Sequence, residues 1–233
     1  MAESAAPQSL LVVAVDGPSA AGKGTLGRGI ARHFGLAFLD TGLLYRAVAT
    51  RLLAAGQDPT DAAAAEAAAR GLQFSELDAP ALRADAVAQA ASKVAAIPGV
   101  RQALLGLQRQ FAADPPPGQD GRIRGAVLDG RDIGTVVCPD ATVKFFVTAS
   151  LEARACRRHQ ELLARGSESI YARVLQDMKE RDARDSSRPV APLTPAPDAM
   201  VLDTTALDAE AALAVAVNFV GRRWRGEKVS SLA

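Results

Sequence analysis

Gly17, Gly22 and Lys23 stand at the spacing G-x-x-x-x-G-K, with Gly24 and Thr25 directly after. That set suits the holding of a polyphosphate. Such a ligand needs many hydrogen-bond donors and little steric bulk. Glycines let the backbone wrap closely, so that successive N–H groups converge on the anion. A helix that follows adds the partial positive charge of its N-terminus. Lys23 is placed to reach the β and γ phosphates. Gly24 takes the usual Ser/Thr position, so Thr25 becomes the hydroxyl nearest a metal–nucleotide.

Two further clusters carry charge in useful patterns. In Leu128 to Thr135, LDGRDIGT, two acids flank Arg131. This arrangement suits Arg131 on a phosphate and Asp132 on a hydrogen-bond donor of a second ligand. In Lys179 to Pro189, KERDARDSSRP, residues Arg181, Asp185 and Arg188 fall at i, i+4 and i+7. On a helix that is one face, which Pro189 would end. Arg154, Arg157 and Arg158 precede it, so Leu151 to Arg188 reads as a basic, mobile arm. Arginines arriving from several segments suit phosphoryl transfer, whose transition state spreads negative charge over the transferred group. A phosphate acceptor needs no general base, because its second pKa of about 6 leaves it dianionic at neutral pH. His33 and His159 are the only histidines, and no Ser-His-Asp set accompanies them.

The elements that must position these residues follow from the apolar pattern. Leu10 to Val15 reads as a buried strand, stopped by Asp16-Gly17-Pro18. A helix follows with Leu26, Ile30 and Phe34 on one face and Gly35 at its end. Further short strands are expected at Ala37 to Leu39, Ala126 to Leu128, Thr142 to Thr148 and Met200 to Leu202. Helices are expected at Leu43 to Ala55, Asp61 to Arg70 (capped by Thr60 and closed by Gly71), Asp85 to Ala96, Val100 to Ala112 and Leu207 to Trp224. Pro98-Gly99 would part Asp85 to Ala96 from Val100 to Ala112. Leu72 to Arg83 reads as a short hairpin or irregular chain, and Asp114 to Gly121 as a loop. Buried strands alternating with helices imply an α/β fold, a parallel sheet covered on both faces. Ligands in such sheets sit at the carboxyl ends of the strands. The clusters Asp40-Thr41, Asp129 to Asp132 and Thr148 to Ser150 all follow strands, so one cleft with Lys23 would hold two ligands.

The bulk composition narrows the class. A chain of 233 residues, 48% of them hydrophobic, builds one domain with insertions or two small ones. A net charge of +1 argues against nucleic-acid binding, which calls for a basic excess. Two cysteines, Cys138 and Cys156, form neither a disulfide framework nor a metal motif, which fits a reduced, cytoplasmic setting. Met1 to Ser9 lacks the pattern of a signal peptide, and no apolar run suits a membrane span.

GPSAAGKGT, LDTGLLYRAVA (Leu39 to Ala49), AASKVAAIPGVR (Ala90 to Arg101), LDGRDIGTVV, ERDARDSSRPVAPL (Glu180 to Leu193) and DAMVLDTT (Asp198 to Thr205) occur in this order. Together they closely resemble the bacterial cytidylate kinases, over roughly residues 10–220. The resemblance implies a P-loop kinase core, with a five-stranded parallel sheet flanked by helices, a monophosphate-binding insert and a lid. Residues 10–41, 122–153 and 189–225 would form the core, 42–121 a short insert and 154–188 the lid, with tails at 1–9 and 226–233. It implies transfer of the γ-phosphate of ATP to CMP or dCMP, with Mg2+, by a monomer. Gly17, Pro18, Ser19, Ala20, Ala21, Gly22, Lys23, Gly24, Thr25 and Arg157 would bind ATP. Arg46, Arg131 and Arg188 would hold the CMP phosphate, with Arg181 close by. Arg181 and Asp185 would read the ribose, and Ser92, Arg101 and Asp132 the cytosine. Thr41, Tyr45 and Asp129 would complete the substrate site. Lys23, Arg131, Arg181 and Arg188 would carry catalysis. No residue set is expected to ligate a metal directly. The alternatives are another nucleoside monophosphate kinase, for UMP or AMP, or a nucleotide-sensing module without catalysis. The family often carries a longer insert than the Leu72 to Arg83 segment allows. Thr41 stands where some members have Ser, which keeps the hydroxyl.

Overall fold

Leu11, Val13 and Val15 on one side and Ala14 on the other are all inaccessible to solvent, so the first strand, β1 (Leu11–Asp16), is covered on both faces. In the computed structural model, which describes residues 10–118 and 120–227, β1 is the centre of a five-stranded sheet. The other strands are β2 (Ala37–Asp40), β3 (Gly125–Asp129), β4 (Val143–Thr148) and β5 (Met200–Asp203). Their order is β2-β3-β1-β4-β5, and every pairing is parallel. The N-terminal tail expected at 1–9 and residues 228–233 of the C-terminal tail lie outside the described residues.

Parallel strands need crossover helices, and those helices form the two outer layers. On one face α1 (Lys23–Phe34) and α8 (Ala209–Trp224) cover Leu11, Val13, Val15, Phe145 and Leu202. On the other, α2 (Gly42–Ala54), α3 (Ala62–Ala69), α4 (Asp85–Val94) and α5 (Pro98–Ala113) gather Leu44, Val48, Leu52, Val94 and Leu104 against Ala14, Leu39 and Leu128. Each core is aliphatic, as the low aromatic content requires. A third, small cluster of Ala155, Val174 and Met178 joins α6 (Leu151–Ala164) to α7 (Tyr171–Ser187) and packs on Ala20.

Several local expectations are corrected. Leu72 to Arg83 holds no hairpin: Phe74–Asp78 and Pro80–Arg83 are short 3-10 turns, the first closed by a reciprocal Gln73–Glu76 capping box. Asp61, not Thr60, caps α3, accepting from the Ala64 N–H, and the helix ends at Ala69, before Gly71. Pro98 and Gly99 open α5, since proline's missing donor costs nothing in a first turn. Asp208 caps α8, which starts at Ala209, after Leu207. Ile133–Val137, to which the apolar pattern assigned no element, forms a single π turn. Arg188 lies outside α7, in extended conformation, because a residue before proline is pushed out of the helical region.

Candidate functional site

Three strands deliver acids to one end of the sheet. In register, Val15 of β1 and Asp40 of β2 both lie beside Asp129 of β3. Asp16, Asp40 and Asp129 therefore share the carboxyl edge, where α/β sheets place ligands. The Gly17–Gly22 loop leaves the same edge and enters α1 at Lys23. Gly17 has φ +143°, and a Cβ there would sit 2.0 Å from the Val147 carbonyl oxygen. Only glycine lets the loop turn that close to β4. Gly22, also left-handed, caps α1 with no side chain in the way of a ligand.

The Lys23 Nζ bridges its own loop, donating to the Pro18 carbonyl at 2.7 Å, and lies 4.0 Å from Asp129. Burial, then the neighbouring Arg131, pushes its pKa down to about 7. Burial raises Asp129 to about 7 against the pull of Lys23. Asp16 rises to about 6, because burial outweighs the two backbone N–H groups it accepts from. Arg181 falls to about 10 through burial and the repulsion of Arg131. Such shifts mark a site that holds more charge than its own partners neutralise.

Two adjoining cavities share Asp40, Asp129, Arg131 and Arg181. The larger, about 690 Å³, is lined by Ser19, Ala20, Gly22, Lys23, Gly24, Thr25 and Arg157, among others. Gly17, Pro18 and Ala21 lie behind it and shape the loop rather than face the space. Arg157 is docked on Thr204 after β5, donating to its hydroxyl at 2.9 Å. The second cavity is lined by all eleven residues expected for a second ligand: Thr41, Tyr45, Arg46, Ser92, Arg101, Asp129, Arg131, Asp132, Arg181, Asp185 and Arg188. They come from α2 and its N-cap, α4, α5, the end of β3 and the segment after it, α7 and its exit.

Within it, Arg101 and Asp132 form a buried ion pair, and the Arg101 guanidinium lies 5.7 Å over the Tyr45 ring. Ser92 accepts from Arg184 at 3.4 Å. Thr41 turns its hydroxyl onto the Asp129 carbonyl at 2.8 Å, fixing α2 to β3. Arg46 donates to the Leu82 carbonyl at 2.9 Å. Arg131 donates to Asp185 at 3.0 Å. Burial opposes charge on Asp185, yet Arg131 and Arg181 outweigh it and hold its carboxyl below the ordinary range. Arg181 Nε and Arg188 Nη2 are buried and have no hydrogen-bond partner. A buried cationic donor left open costs free energy unless an anion completes it.

The chain matches the sequence pattern of one protein family, Cytidylate kinase, over residues 13–221. The chain belongs to the cytidylate kinase family. The cytidylate kinase of Paramagnetospirillum magneticum is 60% identical over 91% of this chain and 98% of its own. That of Methylocella silvestris is 58% identical over 90% of this chain and 94% of its own. Among solved structures, an uncharacterized protein from Eubacterium ventriosum aligns with TM-score 0.52 at 11% identity, over 91% of this chain and 98% of its own, a likeness of fold.

For this member of the cytidylate kinase family, sequence reasoning passed over several cleft residues. Arg28, Glu161, Arg173 and Asp177 line the larger cavity, as do Asp40 and Arg158, which were expected near the cleft but given no role. Asp40 folds back on the Gly42 N–H at 3.0 Å, a turn that an Asp-Thr-Gly run after a strand could have signalled. Arg158 reaches from α6 to Asp85 on α4 at 2.6 Å. Arg154 ties α6 to Asp182 of α7 at 2.7 Å and to the Ser19 carbonyl of the loop at 3.3 Å. No group of three or more His, Cys, Asp or Glu suited to a metal occurs among the described residues, and no described helix is long and apolar enough to cross a membrane.

Proposed function

We propose that the protein is a (d)CMP kinase, transferring the γ-phosphate of ATP to CMP or dCMP to give CDP or dCDP and ADP. The observation that carries this is the junction of the Lys23 loop with a cavity holding two buried, partnerless arginine donors. Membership in the cytidylate kinase family supports the substrate class.

The Gly17–Thr25 loop fits a triphosphate, since its glycines leave the backbone N–H groups open and Lys23 lies among them. Arg157 borders the nucleotide on its lid side. Arg46, Arg131 and Arg188 hold the acceptor phosphate dianion, with Arg181 between the two ligands. Lys23, Arg131, Arg181 and Arg188 then stabilise the charge that spreads over the transferred group. Mg2+ on the phosphates would neutralise charge there, and such an ion ordinarily keeps several of its waters. Thr25 and Asp129, which line the larger cavity, would be the side chains to meet those waters.

Base choice follows from donors and acceptors. Cytosine offers an amino donor beside N3 and O2 acceptors, matching Asp132 against Arg101 and Ser92. Uracil presents an acceptor to Asp132 and leaves buried groups unpaired. Asp185 with Arg181 reads the ribose, and Thr41 and Tyr45 back the site. In this reading residues 10–41, 122–153 and 189–225 are the core, 42–121 the monophosphate insert and 154–188 a lid that excludes water during transfer. The proposed working unit is a monomer.

The test is ADP formation from ATP and magnesium with CMP, dCMP, UMP and AMP offered separately. Turnover on CMP and dCMP with little on UMP or AMP is expected. Preference for UMP or AMP would keep a kinase and overturn the base assignment. ATP binding without turnover on any would overturn the enzyme reading.

A further inference from the structure

Asp16, the last residue of β1, is 4% exposed yet takes no part in the phosphate loop. Its carboxylate accepts from the Ile133 N–H at 2.8 Å and from the Gly134 N–H at 2.7 Å. These are the first donors of the π turn, groups with no partner inside the turn itself. Three residues before the turn, the Gly130 N–H donates to the Val15 carbonyl at 3.0 Å. Arg131 and Asp132 are thus pinned on both sides by atoms of β1. Gly134 is closely packed: a Cβ there would lie 3.1 Å from the Lys144 side chain and 3.4 Å from Asp16, so a neighbour would have to give way.

The other end of the same turn is held as well. Arg109 of α5 donates to the Val136 carbonyl at 2.9 Å and to that of Val137 at 3.1 Å. The turn is clamped between β1 and α5, and its entry residue is Asp132, which faces Arg101 of the same α5. On the β1 side, Gly17 and the phosphate loop follow Asp16 directly.

We infer that Asp16 is a positioning residue for base choice, acting through the clamped turn that it shares with Arg109. The inference rests on the proposed reading of cytosine by Asp132 and Arg101. With both ends held, Asp132 meets the base at one distance and one angle. Released, the turn lets Asp132 swing out of its pairing with Arg101 and tilt toward an acceptor, and discrimination falls. Asp16→Asn keeps the size of the side chain but turns an amide N–H toward a backbone N–H. It removes one of two acceptances without opening a cavity.

The experiment compares kcat/KM for CMP and for UMP in the full-length protein and in D16N, R109A and D132A. D16N and R109A are each expected to lower the CMP-over-UMP ratio by about tenfold, the scale of one lost buried hydrogen bond. KM for CMP should rise more than KM for ATP. A merely structural role would lower melting temperature and active fraction while leaving the ratio untouched. R109A carries the test alone if D16N does not fold, since Arg109 lies far from the phosphate loop in the chain. If D132A loses preference while D16N or R109A keeps it, the inference is overturned and the base reading stands. If D132A also keeps it, the base reading fails and takes the inference with it.

Discussion

The Nε of Arg131 donates to Asp185 at 3.0 Å, with Asp185 almost fully enclosed. The segment after β3 and helix α7 are therefore joined across the second cavity before any ligand enters. Removing the acid takes away the counter-charge that Arg131 and Arg181 share. Asp185→Ala is expected to raise KM for CMP by about ten- to a hundredfold, the range for a lost hydrogen bond to a charged group. KM for ATP should change far less. Steady-state kinetics with each substrate varied in turn checks this, and equal changes in both would point to a general collapse of the cleft.

Arg188 presents the complementary case, a buried guanidinium with an unfilled donor. Burial and the nearby Arg101 disfavour its charge in the empty site, so the group gains when an anion arrives. If that gain is largest in the transition state, Arg188→Ala cuts kcat by about a hundred- to a thousandfold, as for a lost oxyanion donor. Calorimetric ATP affinity should stay within about twofold, because the residue lies outside the donor cavity. Loss of ATP affinity with turnover intact would remove it from the transfer step.

The residues of the second cavity were legible because each follows an apolar run that could only be a strand, or sits on a helix of clear period. Parallel topology then brings strand ends together without further information. The π turn was not legible: Ile133-Gly134-Thr135-Val136-Val137 carries β-branched residues that favour strands, and its form depends on two anchors distant in sequence. Asp16 reads as a strand terminator until β3 lies beside β1 and sets Ile133 and Gly134 against it, 117 and 118 residues away. Arg188 was expected on one helix face with Arg181 and Asp185. It reaches the same cavity from an extended residue instead, so its side chain is aimed by the chain's exit from α7.

Gly17 offers a test of the loop that needs no substrate. An added methyl group would overlap the Val147 carbonyl, and the backbone at φ +143° is one that L side chains rarely adopt. Either the loop moves off β4 or the strand end shifts. Gly17→Ala is expected to cost about 2–3 kcal/mol of stability. Urea denaturation should show a lower midpoint at unchanged slope. ATP affinity measured on the protein that remains folded should fall as well. A neutral result would mean that the loop rests elsewhere than against β4.

Protonation gives the last prediction, and its sign is set by three groups. Asp16 and Asp129, raised from 3.8 to about 6 and about 7, hold protons in the folded protein that the unfolded chain has already lost. Stability of the ligand-free protein therefore falls as pH rises from about 4 to 7. Lys23, lowered from 10.5 to about 7, does the reverse: above pH 7 the unfolded chain holds the extra proton, and stability rises with pH. Melting temperatures across pH 4 to 10 should show a minimum near neutrality from this cluster, and Lys23→Met should flatten its alkaline arm. Binding of metal-free ATP brings negative charge to Lys23 and Asp129 together, which favours the protonated form of each. Calorimetry in buffers of different ionisation enthalpy should record net proton uptake at pH 7 to 8, reduced in Lys23→Met. Proton release there would mean that the phosphates sit away from Lys23, and would remove the residue from the donor site.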